Sequence, residues 1–117
     1  MRRRDSLLEA LRLLRKVHGG ITVNQIAAFL YTCENEGLSV QELAYVARIS
    51  QSAASRSLRC LGPPGSAWSQ PPALGLVEPF LHPTDGRSHV LHLTERGRRL
   101  RDQLDELIRQ AAPILAS

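Results

Sequence analysis

The segment 42–61 constrains the fold of this chain more than any other part of it. Its sequence, ELAYVARISQSAASRSLRCL, contains two short helical patterns joined by a polar turn at 49–50. In the second pattern, Ala54, Leu58 and Leu61 recur at i, i+4 and i+7, the spacing of one helical face, and predict a buried stripe. The segment therefore predicts a helix-turn-helix.

The opposite side of the second helix is polar and basic. Ser52, Arg56 and Arg59 lie there, with Ser55 at the edge. Small side chains let a helix backbone approach DNA closely, hydroxyls bond base edges or phosphates, and arginine binds guanine or phosphate. The face suits the major groove of DNA. The alternative is a solvated helix on an ordinary helical protein.

The charge distribution favours a polyanionic partner. The chain has 15 basic and 11 acidic residues, a formal net charge of +4, and Lys16 is its only lysine. Between Glu42 and Glu78 there is no acidic residue, while Arg48, Arg56 and Arg59 lie in that stretch. Positive charge coincides with the predicted DNA-reading helix. An excess of this size is also common in proteins that never bind nucleic acid.

Length and cysteine content limit the class of protein. A chain of 117 residues predicts one domain, 1–117, with a single core. No apolar run approaches the roughly 20 residues of a membrane span, and charges interrupt the start of the chain where a signal peptide needs an apolar stretch. Cys33 and Cys60 are too few for a disulfide framework. We expect a cytoplasmic protein.

Sequence signals on both sides of the helix-turn-helix predict further elements. An apolar face marks an N-terminal helix over 5–18, and capping boxes begin helices at Thr22 and Ser39. The segment 62–74 is rich in proline and glycine and predicts a mobile surface loop, with a contact to a partner or to DNA as the alternative. Strands follow at 76–81 and 89–93 around Asp85-Gly86, a hairpin signal.

Thr94 caps a last helix predicted over 95–115, where Pro113 weakens it. The fold class is therefore mostly helical with a small β-hairpin, a winged helix-turn-helix over 22–94 flanked by a helix at each end. Both end helices carry leucine stripes that we expect to be too wide for one small domain to cover, and so to form a homodimer interface. The predicted interface residues are Leu7, Leu11, Leu14, Leu100, Leu104, Leu107 and Ile108.

Four motifs, in this order, resemble the MarR family of bacterial transcription regulators. They are S-x-S-A-A-S-R-x-L-x-x-L from Ser50, G-L-V-E from Gly75, P-x-D-x-R from Pro83 and L-T-x-x-G from Leu93. The match runs over about 22–100. Each motif is weak alone, but D-x-R followed by L-T-x-x-G is fairly specific to that family. The D-x-R motif lies at the tip of the predicted hairpin 76–93, which is the wing of this fold.

The resemblance implies a homodimer that places one reading helix of each subunit in successive major grooves of double-stranded DNA. It also implies that Arg87 at the wing enters the minor groove, with Asp85 holding Arg87 in position. A narrow minor groove concentrates negative potential and favours an inserted arginine. The alternative for this pair is a solvated turn. The predicted DNA-binding residues are Ser50, Gln51, Ser52, Ala53, Ser55, Arg56, Arg59, Asp85 and Arg87.

The chain departs from the family in three places. Pro79 stands where the family usually has an arginine, which removes one phosphate contact and marks the first wing strand as an edge. The connection from Leu61 to Gly75 is about ten residues longer than the usual turn, so the loop that contains Trp68 is an insertion beside the DNA-binding face. The C-terminal helix is short, which puts in doubt the usual dimer and effector pocket.

Few residues offer other chemistry. Cys33 and Cys60 are expected to be packed, inert thiols, with oxidant sensing as the alternative. His82 and His89 face each other across the hairpin and are a weak candidate for a metal site. His92 points to the opposite face of its strand, so no third histidine joins them, and we predict no metal site and no cofactor.

No nucleophile and base, glycine-rich phosphate loop or paired carboxylates stand at a useful spacing, so an enzyme is not expected. We predict a sequence-specific DNA-binding regulator, most simply a repressor on a near-palindromic operator. The alternative is a winged helix that binds another protein without reading DNA. The sequence leaves any small-molecule effector open.

Overall fold

The computed structural model describes residues 5–110 and shows five helices and three strands within them. The helices are α1 (Asp5–Val17), α2 (Val23–Glu34), α3 (Val40–Ala47), α4 (Gln51–Cys60) and α5 (Glu95–Arg109). The strands are β1 (Leu38–Ser39), β2 (Val77–Leu81) and β3 (His89–Leu93). The predicted end of the last helix at 111–115, Pro113 included, lies outside the described residues.

Side-chain caps fix where the inner helices begin, as predicted. The Thr22 hydroxyl accepts from the Gln25 N–H at 3.1 Å, and the Gln25 side chain accepts from the Thr22 N–H at 3.0 Å. Ser39 and Glu42 form the same reciprocal pair, at 3.1 Å in both directions. Each pair satisfies backbone donors that a helix start leaves unbonded. The two capping boxes are confirmed.

The three strands form one antiparallel sheet in the order β1-β3-β2. The predicted hairpin is confirmed, with Phe80 opposite Val90 in its register. The strand that contains Pro79 lies at the edge, as expected from a residue without an N–H. Strand β1 was not predicted, because two residues are too few to show an alternating pattern.

The predicted stripe of α4 forms part of the core. Ala54, Leu58 and Leu61 have no exposed surface. They pack with buried residues of α2, α3 and the sheet, among them Phe29 and Leu91. One face of α4 is thereby fixed against the protein, so its other face is held at a defined orientation.

Helix α5 starts against residues 75–76, which lead into β2. The Thr94 hydroxyl accepts from the Gly97 N–H at 2.9 Å and donates to the Gly75 carbonyl at 2.6 Å. A Cβ atom at position 97 would collide with the Leu76 carbonyl oxygen, so only glycine permits this close approach. The motif L-T-x-x-G thus joins the wing to α5.

The leucine stripes of the end helices differ from the prediction. Leu14, Leu100 and Leu104 are buried within the chain's own core, because α1 and α5 pack against each other. Leu107 is half-buried. Apolar side chains that remain exposed on these two helices are Leu7, Leu8, Leu11 and Ile108. The surface available to a partner is therefore narrower than the stripes suggested.

Within residues 5–110, every helix is too short or too polar to cross a membrane.

Candidate nucleic-acid interface

The turn before α4 determines where its exposed face begins. Arg48 ends α3 in the left-handed conformation, with φ 57° and ψ 44°. The Ser50 hydroxyl then accepts from the Ala53 N–H at 3.0 Å and caps α4. The predicted cap is confirmed, and the reversal of the chain occurs two residues earlier, at Arg48.

The exposed face of α4 carries the predicted polar residues. Gln51, Ser52 and Arg56 are exposed, while Ala53 and Ser55 are half-buried. Within the described part of the chain, the Arg56 guanidinium makes no hydrogen bond or ion pair. Its donors are therefore available to an external acceptor.

A groove of about 620 Å³ runs between α4 and the wing. Five of the predicted DNA-binding residues line it together: Gln51, Ser52, Ser55, Arg56 and Arg59. Arg87 reaches the same groove from the wing. Ser50, Ala53 and Asp85 do not line the groove. The groove has basic residues on two sides and no acidic residue in its lining.

Several residues that the sequence patterns did not indicate also line this groove. Ser39, Val40 and Gln41 contribute from the start of α3, Trp68 and Gln70 from the loop after α4, and Ser88 and His89 from the base of the wing. The short helix α3 gave no signal for this role. Trp68 could have been a signal for packing, because tryptophan is highly buried on average.

The wing tip is shaped by its own polar contacts. Asp85 accepts from the Arg87 N–H at 3.0 Å and from the Ser88 hydroxyl at 2.9 Å, and these two bonds lower the pKa of Asp85. His82 Nδ1 accepts from the backbone N–H groups of Thr84 and Asp85, at 3.1 and 3.3 Å. These bonds fix the backbone of the turn.

The implied role of Asp85 therefore changes in one respect. It contacts Arg87 through the backbone N–H, and no ion pair joins the two side chains among the described residues. Asp85 holds the backbone that carries Arg87, while the guanidinium extends from an exposed tip.

The base of the wing contacts the loop after α4. The ring of His89 lies beside Trp68, with centroids 6.1 Å apart.

The insertion after α4 is packed, so the prediction of a mobile loop is wrong. Its backbone is bonded back to the end of α4: Gln70 N–H to the Arg59 carbonyl at 2.9 Å and Leu74 N–H to the Cys60 carbonyl at 2.9 Å. Inside the loop, the Ser69 hydroxyl donates to the Pro63 carbonyl at 2.8 Å. Proline and glycine exclude regular structure, but here they do not exclude tight packing.

Trp68 is the centre of this packing. It is half-buried, lies against the core, and has the Arg59 guanidinium carbon 5.7 Å from its ring centroid. The Arg59 side chain also donates to the Ser55 hydroxyl at 3.3 Å and to the Trp68 carbonyl at 3.4 Å. Arg59 is thus restrained by the loop, unlike Arg56 on the same face.

Neither cysteine lines the groove. Burial raises the pKa of the Cys33 thiol to about 12, so the reactive thiolate is disfavoured. The Cys60 thiol lies 3.4 Å from the Pro71 carbonyl, as part of the contact between loop and helix.

Solved structures show the same fold. The complex of Staphylococcus aureus MepR with DNA has a TM-score of 0.72 at 18% identity, over 92% of this chain and 78% of that one. A MarR transcriptional regulator from Methanosarcina mazei Go1 gives 0.67 at 18%, over 92% and 68%. The transcriptional repressor CouR, bound to a 23-mer DNA duplex, gives 0.64 at 24%, over 90% and 66%.

These similarities establish a MarR-like winged-helix fold, as predicted. The chain spans 66% of the CouR chain, slightly under two thirds of its length. No family model and no curated protein matches the chain.

Proposed function

We propose that this protein is a sequence-specific DNA-binding transcriptional regulator, most simply a repressor that occupies an operator as a homodimer. The observation that carries the proposal is the groove between α4 and the wing. It combines Ser52, Ser55 and Arg56 on a rigid helix with Arg87 on the wing, and its lining has no acidic residue. Major-groove reading needs small polar side chains and arginine on such a helix.

The relatives support the same class of function. MepR is solved in complex with DNA, and CouR is a transcriptional repressor bound to a DNA duplex. Their identities of 18% and 24% establish a shared fold, so a shared function is part of the proposal. The basic groove is independent support, because it comes from this chain's own residues.

We assign the two arginines to different grooves of the DNA. Arg56 projects from the exposed face of α4, so we assign it to base edges or phosphates in the major groove. Arg87 extends from the wing tip, so we assign it to the adjacent minor groove, where A/T-rich sequence narrows the groove. Occupation of a promoter by such a complex would block transcription.

We further propose that the end helices form the dimer contact, through the exposed residues rather than the full leucine stripes. Leu7, Leu11 and Ile108 are 56%, 48% and 62% exposed in a single chain, on the two helices that pack together. Two such subunits would bind a near-palindromic operator whose half-sites are about one helical turn of DNA apart.

Sedimentation tests the dimer. Wild type should sediment as a dimer, and Leu11→Glu should shift it towards monomer because a charge would be buried at the contact. Val23→Glu is the matched control, because Val23 is 80% exposed at the start of α2 and should leave the mass unchanged. A wild-type monomer at high concentration contradicts the proposal.

Selection of bound duplexes from a random DNA pool tests the function. We expect a recovered motif with two related half-sites, and an affinity that falls steeply with salt because phosphate contacts release counterions. Recovery of no DNA would overturn the proposal and favour the alternative, a winged helix that binds another protein.

A further inference from the structure

The loop 62–73 borders the groove beside α4. Trp68 and Gln70 line the same groove as Ser55, Arg56 and Arg59. Main-chain bonds from Gln70 and Leu74 to the end of α4 hold the loop there. The loop is therefore part of the groove wall, at the end of the helix opposite the Ser50 cap.

Arg59 is restrained from three directions. Its Nε donates to the Ser55 hydroxyl, one Nη donates to the Trp68 carbonyl, and the guanidinium lies over the Trp68 ring. An arginine side chain has five N–H donors, so these two bonds leave three for an acceptor in the groove. A free arginine would lose rotamer freedom on binding a phosphate, and this one has lost much of it already.

We infer that the loop is a third DNA-contacting element beside α4 and the wing, in which Trp68 acts as a positioning residue that presets Arg59 for a backbone phosphate and Gln70 lies beside the same DNA strand. The ligand is double-stranded DNA, so the inference rests on the proposed function and extends it to residues 62–73. The chemistry fits, because phosphate accepts from a planar guanidinium in the geometry that arginine offers.

A double-mutant cycle tests the coupling of Trp68 and Arg59, with DNA recovered by selection as the probe. Arg59→Ala should weaken binding about three- to tenfold. It should also reduce the salt slope, the dependence of log affinity on log salt concentration, by the amount expected for about one phosphate contact. Trp68→Ala should weaken binding by a smaller factor and leave the salt slope near wild type, because the charge remains. In the Arg59→Ala background, Trp68→Ala should have no further effect.

Matched controls separate positioning from general damage. Trp68→Phe keeps a ring under the guanidinium and should restore most of the affinity that Trp68→Ala loses. Gln70→Glu places a carboxylate in the groove and should weaken binding, whereas Gln103→Glu on α5 makes the same change outside the groove and should not. Arg99→Ala removes a positive charge outside the groove and is the control for Arg59→Ala.

Trp68 also reports contact directly, without a substitution. It is the only tryptophan of the chain, so fluorescence excited selectively at tryptophan reports this loop alone. Saturating DNA should reduce its quenching by iodide. Unchanged quenching, or a full effect of Trp68→Ala in the Arg59→Ala background, would overturn the inference. If Arg56→Ala and Arg87→Ala weaken binding while the loop variants do not, the inference fails and the proposed function stands. If no DNA binds, both fail.

Discussion

Arg59 and Arg87, on opposite sides of the groove, differ in how strongly the protein restrains their side chains. On the helix side, Arg59 is held by Ser55 and Trp68, on a helix whose other face is buried in the core. On the wing side, the tip is exposed, and its polar bonds fix the backbone while the Arg87 side chain extends freely. A preset side chain costs less entropy on binding, whereas a free one adapts to grooves of different width.

On one side of the groove, the same contacts stabilise the fold and position an arginine for the proposed DNA binding. Arg59 and the loop use contacts that also hold the protein together, so disruption of these contacts should affect both unfolding and DNA binding. The wing tip contributes little to the core, so its disruption should affect DNA binding alone. The following predictions test that distinction, from the largest expected effect to the smallest.

Replacement of residues 63–73 by a short Gly-Ser link should reduce the free energy of unfolding by about 2–4 kcal/mol. A fully buried tryptophan contributes about 3–5 kcal/mol relative to alanine, Trp68 is half-buried, and each lost hydrogen bond adds about 1 kcal/mol. Urea denaturation measures the change. Stability equal to wild type would mean that the packed loop is dispensable, and the contrast between the two sides would disappear.

Arg56→Ala should weaken binding to the selected DNA by about 1–3 kcal/mol and relax specificity at one position, if its unpaired guanidinium binds a base edge as proposed. The melting temperature should stay at the wild-type value, since the side chain is exposed. Fluorescence anisotropy on sites with single base changes measures both affinity and specificity. Arg99→Ala serves again as the charge-matched control.

Arg87→Ala should weaken binding by about 1 kcal/mol or less, and mainly on sites with A/T-rich flanks. The physical reason is that minor-groove potential depends on groove width, and we assign the wing no base-specific contact of the kind proposed for α4. Affinities for duplexes that differ only in flanking sequence give the measurement. Equal losses on A/T-rich and G/C-rich flanks would remove the minor-groove assignment.

Asp85→Asn should have the smallest effect, confined to the wing. The pKa of Asp85 is lowered by the bonds from Arg87 and Ser88, so the ionised form is favoured in the folded wing. The stabilisation is therefore present above the usual pKa of an aspartate and is lost as the pH falls through the lowered value. NMR titration should show this loss in the amide signals of Arg87 and Ser88 in wild type and not in Asp85→Asn.

Features set by neighbouring residues could be predicted from the sequence. The caps at Ser39 and Ser50 depend on residues three positions away, and the stripe of Ala54 and Leu58 depends on helical spacing alone. The hairpin followed from Asp85-Gly86 and alternating apolar residues. These local rules were sufficient for the fold class and for the exposed face of α4.

Features set by tertiary contacts could not be predicted in this way. The burial of Leu100 and Leu104 depends on how α1 packs against α5, which periodicity does not specify. The packing of Trp68 over Arg59 depends on the path of an irregular loop, and composition alone suggested mobility. A proline- and glycine-rich composition indicates that a segment is not helix or strand, but it does not indicate that the segment lacks contacts.

The edge position of Pro79 has a consequence for the solubility of the protein. The His82 N–H donates to Ser88 across the hairpin, and backbone groups alternate in direction along a strand, so the nitrogen of Pro79 lies on the outer edge of β2. That edge, beside exposed Phe80 and Leu81, would otherwise be a template for aggregation by sheet extension. With no donor at this point, the wing can remain exposed, as the proposed function requires, without joining wings of other molecules into a shared sheet.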